Sequence, residues 1–161
     1  MWATHTAIKG ISHAMCVMYS VLVPVDDHDV RVRAQIDAVL ELPGVPEAVA
    51  VDVLFVREEL EFGDEEDVEI GTIRTDLTDL EELPATVSLA RDSFADADVD
   101  VSVHSTTGKP AAAIVDVADR LDADELVLGS RRTSPVGKVL FGSVTQAVIL
   151  GSDRPVKAVP A

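Results

Sequence analysis

Nearly continuous apolar runs alternate along this chain with segments whose apolar residues recur at three- and four-residue intervals. The first run, residues 20–25 (SVLVPV), stops at Asp26-Asp27. A strand covered on both faces requires such a run, so these residues are predicted to form a central parallel strand. In residues 30–42, Val32, Ile36, Val39 and Leu40 fall on one helical stripe, with Arg33, Asp37 and Glu41 on another. Asp29 is the expected cap of this helix, and Pro43-Gly44 its stop. Residues 48–56 (AVAVDVLFV), rich in β-branched side chains, predict the second strand.

Residues 57–78 carry too few apolar side chains to enter a core and read as an acidic, solvated loop; their carboxylates lack the ligand spacing of an EF-hand. Helical spacing resumes after Pro84, with Val87, Ala90 and Phe94 on one face. Residues 99–104 (VDVSVH) alternate as a third strand. Gly108-Lys109-Pro110 then opens a helix, with proline suited to its first turn. Residues 126–129 form a fourth strand, residues 141–151 a helix ending near Gly151, and residues 155–159 a short fifth strand. Five strands alternating with four helices predict a doubly wound α/β domain, a parallel sheet flanked by helices on both sides. Ligands bind such sheets beyond the carboxyl ends of the strands where strand order reverses. The first and fourth strands end in polar or glycine-containing loops.

Composition narrows the class. The chain has 161 residues, 47% of them hydrophobic, which is enough for one globular domain with a proper core. Its 29 acidic residues against 13 basic ones leave a net charge of −16. That charge argues against a nucleic-acid partner, because phosphate backbones are bound by clustered Lys and Arg. Lysine is scarce. A surface of solvated carboxylates tolerates its own repulsion best where salt screens it, so a salt-rich cytoplasm is the leading explanation of the charge.

Cys16 is the single cysteine, which excludes an internal disulfide and fits a reducing cytoplasm. No apolar run reaches membrane-spanning length. Residues 1–17 show neither strand alternation nor a capped helix. They are expected to be an extension, either a loosely docked tail or the product of a mis-set start, ahead of a domain over residues 18–161.

The chemistry concentrates in residues 126–144 (LVLGSRRTSPVGKVLFGSV). A strand runs into Gly129, twelve residues follow, and Gly142-Ser143 opens a helix. Glycines admit close backbone approach to an anion, and the unpaired N–H groups of a helix start point at it, so a phosphate is the expected occupant. Asp26 has two readings of equal weight, a turn or cap residue and a ligand contact. His28 is an exposed loop histidine, and His104 is placed after the third strand, apart from the pocket.

These segments together resemble the universal stress protein family. Val23-Pro24-Val25-Asp26 is similar to its first-strand V-P-x-D, and Leu54-Phe55-Val56 to its L-H-V. Gly108-Lys109-Pro110 resembles its G-x-P, Leu128-Gly129-Ser130-Arg131 its M-G-S-x, and Arg154-Pro155-Val156 the P-V of its last strand. Gly129 and Gly142-Ser143 stand at the spacing of the family's phosphate signature, while Arg132 occupies its middle glycine position. Arginine there either strains the loop and blocks phosphate or binds phosphate through its guanidinium.

The resemblance implies strand order 3-2-1-4-5 and an adenine nucleotide, ATP with Mg²⁺ arriving on the triphosphate. It implies adenosine contacts at Pro24, Val25, Asp26, Val56 and Leu128. Phosphate contacts are implied at Gly129, Gly142, Ser143 and Val144, with Arg131 and Arg132 adding positive charge. It also implies a homodimer through the last strand.

No general base, nucleophile pair or metal-ligand set is legible at the pocket, so slow or absent hydrolysis is expected of a stress-response or signalling regulator. The alternative is a dimeric interaction module of the same fold that holds no nucleotide. An efficient enzyme is disfavoured, because the first-strand loop reads VPVDDHD where nucleotide-hydrolysing and transferring relatives of this fold carry other motifs.

Overall fold

A computed structural model of the chain describes residues 17–58, 82–131 and 141–161. Five strands and four helices alternate in the order β1 (Tyr19–Val25), α1 (Asp29–Leu40), β2 (Val49–Glu58), α2 (Ala85–Asp96), β3 (Asp100–Gly108), α3 (Pro110–Arg120), β4 (Glu125–Ser130), α4 (Ser143–Gly151) and β5 (Val156–Pro160). The strands form one parallel sheet in the order β3-β2-β1-β4-β5, as expected.

β1 is central because it is apolar on both faces. Val21 and Val23 face one layer of the core, and Leu22 faces the other; all three are fully buried. The first layer is closed by Val32, Ile36 and Val39 of α1 and by Val87, Ala90 and Phe94 of α2. The second is closed by Ile114 and Val117 of α3 and Val148 of α4 against Leu22, Leu54, Leu126 and Leu128. Each large side chain removed from water contributes roughly 1.5–3 kcal/mol, so the two stripes read from the sequence are what hold α1 and α2 to the sheet.

Several boundaries differ from those expected. β2 continues two residues past Val56, and β3 runs on to Gly108, because Val56, Arg57 and Glu58 pair in register with Thr106, Thr107 and Gly108. His104 therefore lies inside β3. Its Nε2 is 2.7 Å from Oδ1 of Asp52 on β2, and it is buried in the sheet face. Asp29 is the first helical residue of α1, and the cap position is His28, which makes no side-chain capping bond. The carboxylate of Asp29 serves instead as a first-turn charge and pairs with Arg33 one turn on, at 3.0 Å. Residues 1–16 of the expected 1–17 extension, most of the acidic loop and Arg132 lie outside the described residues. Among the described residues no helix is long and apolar enough to cross a membrane.

Candidate functional site at the carboxyl edge of the sheet

Because every strand is parallel, the carboxyl ends of β1, β2 and β4 lie along one edge of the sheet. The ladder between β1 and β4 holds Val21 opposite Glu125 and Leu22 opposite Leu126, and registers no pair beyond them. The two strands then carry α1 and α4 to opposite faces, so they part where strand order reverses. The carbonyls left by this parting are satisfied by one side chain: Nε2 of Gln35 donates to the Pro24 carbonyl at 2.7 Å and to the Val127 carbonyl at 2.9 Å. Gln35 is 1% exposed. It sits among Val32, Ile36 and Val39 on the buried side of α1, and that polar interruption of an apolar stripe was its sequence signal.

The chain leaving β1 is fixed by Asp26. Its Oδ1 accepts from the backbone N–H of His28 at 2.9 Å, an Asx-type turn that sets the entry to α1. Oδ2 of Asp26 lies 2.7 Å from Nη2 of Arg31, and the Asp26 carbonyl accepts from the Thr86 hydroxyl at 2.5 Å. Its turn role is thus explicit, while the carboxylate remains about half exposed at the edge. Asp26, Asp27 and His28 bring three candidate metal-ligand atoms within 4.8 Å of one another. Those atoms are already engaged with each other and with the turn, His28 Nδ1 lying 2.7 Å from Asp27 Oδ1.

On β4, Leu128 is buried in the α3–α4 layer and Gly129 is half-buried; Arg131, just past the strand, is exposed. Gly129 is demanded by close approach. A Cβ there would stand 3.1 Å from Cβ of Arg31 and 3.2 Å from Oε1 of Gln35. On β2, Val56 is half-buried and packs against the α3–α4 layer.

The start of α4 reaches this edge through Thr145, whose hydroxyl donates to the Gly129 carbonyl at 3.3 Å. Gly142 is the cap residue of α4, with φ −60° and ψ 160°, and no side chain caps the helix. Its backbone is one that any residue adopts, and a Cβ on it would meet no atom of the described residues within 4 Å. Among the described residues, neither strain nor packing therefore calls for glycine at that position. Ser143 and Val144 follow, both exposed in the first turn, where free N–H groups and the helix dipole favour an anion.

The structure thus brings Pro24, Val25, Asp26, Val56, Leu128, Gly129 and Arg131 to one edge, with Gly142, Ser143 and Val144 tied to it by Thr145. Arg31, Gln35 and Thr86 also stand there, and sequence reading missed all three. Arg31 and Thr86 had no signal, because only the packing of α1 and α2 carries them to Asp26.

The sequence profile described as "Universal stress protein family" matches residues 18–160. The chain belongs to the universal stress protein family. Among its relatives, the "Stress response protein NhaX" of Bacillus subtilis is 40% identical over 62 residues, 38% of this chain and 35% of that protein. The chain spans about a third of the length of the curated relatives it matches.

A universal stress protein structure from Archaeoglobus fulgidus is 30% identical with a TM-score of 0.61, over 89% of this chain and 99% of that one. A second Archaeoglobus fulgidus structure, described as a complex with dAMP, is 26% identical with a TM-score of 0.56, over 89% and 98%.

Proposed function

We propose that this chain is an adenine-nucleotide-binding universal stress protein that regulates a stress or signalling response and turns its nucleotide over slowly or not at all. The observation that carries the reading is Gly142, a glycine that neither its own backbone nor the described residues around it require, at a helix start without a side-chain cap that Thr145 ties to Gly129. A ligand phosphate in the space its missing side chain leaves would account for it. The dAMP described in the 26% identical Archaeoglobus fulgidus structure supports the same ligand class.

In this reading adenosine lies against Pro24, Val25, Asp26, Val56 and Leu128. Phosphates meet Gly129, Gly142, Ser143 and Val144, with Arg131 and Arg132 supplying positive charge. ATP is the proposed nucleotide, carrying Mg²⁺ on its triphosphate.

β5 lies at the edge of the sheet, and its residues Val156 to Val159 are only half-buried in one copy of the chain. Pairing of that edge with a second copy gives the proposed homodimer. The net charge of −16 supports a haloarchaeal-like member working in a salt-rich cytoplasm, without a nucleic-acid or membrane partner.

The test is to purify the protein in concentrated KCl, denature it and identify the released small molecules by mass spectrometry. ATP or ADP near one per subunit is expected. No released nucleotide, together with no heat on titration with Mg-ATP, overturns the reading in favour of an interaction module that works through its surfaces alone.

A further inference from the structure

Arg31 is a cation of this edge that its turn leaves incompletely paired among the described residues. It rises from the first turn of α1, and its side chain crosses the face of Gly129, with Cδ 3.4 Å and Cβ 3.1 Å from where a Cβ of that glycine would stand. The side chain is 18% exposed. One nitrogen, Nη2, reaches Asp26 Oδ2 at 2.7 Å, whereas Nε is buried and has no hydrogen-bond partner among the described residues. A guanidinium presents five N–H donors in a rigid fork, and a buried donor of a charged group left unpaired is costly. Asp26 is half exposed and already accepts from the His28 N–H, so it does not saturate the fork. The missing side chain of Gly129 lets the arginine lie against the strand end, where Oε1 of Gln35 also closes on the glycine. A positive group with spare donors is therefore held where β1 and β4 part, in a chain otherwise strongly acidic.

We propose that Arg31 determines the ligand class of the site by binding an anionic group, so that the site takes adenine nucleotides in preference to the uncharged nucleoside. The inference rests on the nucleotide reading above and adds a residue and a selectivity to it. The α1 arginine supplies charge-assisted hydrogen bonds that adenosine cannot use, and a monophosphate is sufficient to engage them.

The experiment compares adenosine, AMP and ATP as calorimetric titrants of the full chain, freed of bound nucleotide by dialysis. The wild-type protein is expected to bind AMP roughly tenfold or more tightly than adenosine. Arg31→Gln should abolish most of that preference while leaving the affinity for adenosine within about twofold, which a role limited to bracing Asp26 would not do. Arg31→Lys keeps the charge without the fork and should hold an intermediate preference; it serves alone if Arg31→Gln does not fold.

An unchanged AMP-to-adenosine ratio in these variants, or an equal loss of both ligands, overturns the inference while the nucleotide reading stands. If the wild-type chain binds none of the three compounds, the nucleotide reading fails and the selectivity fails with it.

Discussion

Gly129 on β4 and Arg31 on α1 are in such close apposition that a Cβ on the glycine would stand 3.1 Å from Cβ of the arginine. The contact lies between two rigid elements, so neither atom yields cheaply. Gly129→Ala should therefore push α1 off the sheet edge and destabilise the fold by about 1–3 kcal/mol. Urea denaturation monitored by circular dichroism measures this. An unchanged midpoint would mean that α1 sits further from β4 than the structure has it.

The second glycine of the site behaves in the opposite way. A Cβ at Gly142 meets none of the described residues and needs no unusual backbone, so Gly142→Val should change stability by less than about 1 kcal/mol, the scale of a cap substitution. Nucleotide retained through purification should nevertheless fall sharply, because the new side chain fills the proposed phosphate position. Full retention would place the phosphates elsewhere.

Gln35→Leu keeps the bulk of the side chain but strands the carbonyls of Pro24 and Val127, both of which it now satisfies. A loss of about 2–4 kcal/mol is expected, since each orphaned buried acceptor costs about 1–3 kcal/mol. Exchange of amide hydrogens along the β1 and β4 ends should rise before that of the Val49–Glu58 strand.

Asp52 and His104 join β2 to the edge strand β3, and Ser20 on β1 extends the row, its hydroxyl donating to Asp52 Oδ2 at 3.3 Å. The carboxylate stands between the serine and the histidine, so the row cannot relay a proton from Ser20 to His104, and its role is to bind strands together. A double-mutant cycle of Asp52→Asn and His104→Phe should give a coupling of about 1–2 kcal/mol. Additive single effects would deny the pairing.

Tyr19 is the single tyrosine of the chain, which makes its ionisation directly visible in ultraviolet absorbance. Burial raises its pKa above the usual 10.0, and the neighbouring carboxylate of Glu125, which accepts its hydroxyl at 3.3 Å, raises it further. A raised folded-state pKa means that folding favours the neutral phenol. Its contribution is full below about pH 10, the unfolded value, and is lost as pH rises through the folded one. Alkaline titration should show phenolate appearing later in the folded protein than in urea. Tyr19→Phe should flatten this part of the alkaline fall in stability.

Much of the fold was legible because its signals are local. Short apolar runs rich in β-branched residues suit doubly covered strands, and the stripes containing Val32, Ile36 and Val39 or Val87, Ala90 and Phe94 proved to be the faces that α1 and α2 bury. Gly129 and Gly142 were singled out together as phosphate glycines, yet their surroundings differ. The first is required by a neighbouring helix, the second by none of the described residues. The third strand was read to stop at His104 because alternation fades there, whereas pairing with β2 carries β3 four residues further and encloses the histidine.

Length, hydropathy period and glycine spacing determined by themselves the α/β class, the order of elements and the loops that meet at the carboxyl edge, because each depends only on neighbours in sequence. Which residues finish that edge was decided by tertiary structure. Gln35 bridges strands distant in sequence, Thr86 reaches Asp26 from another helix, and Arg31 is aimed across Gly129 by the packing of α1. These contacts arise only when separate elements are pressed together, and no period within one segment records them.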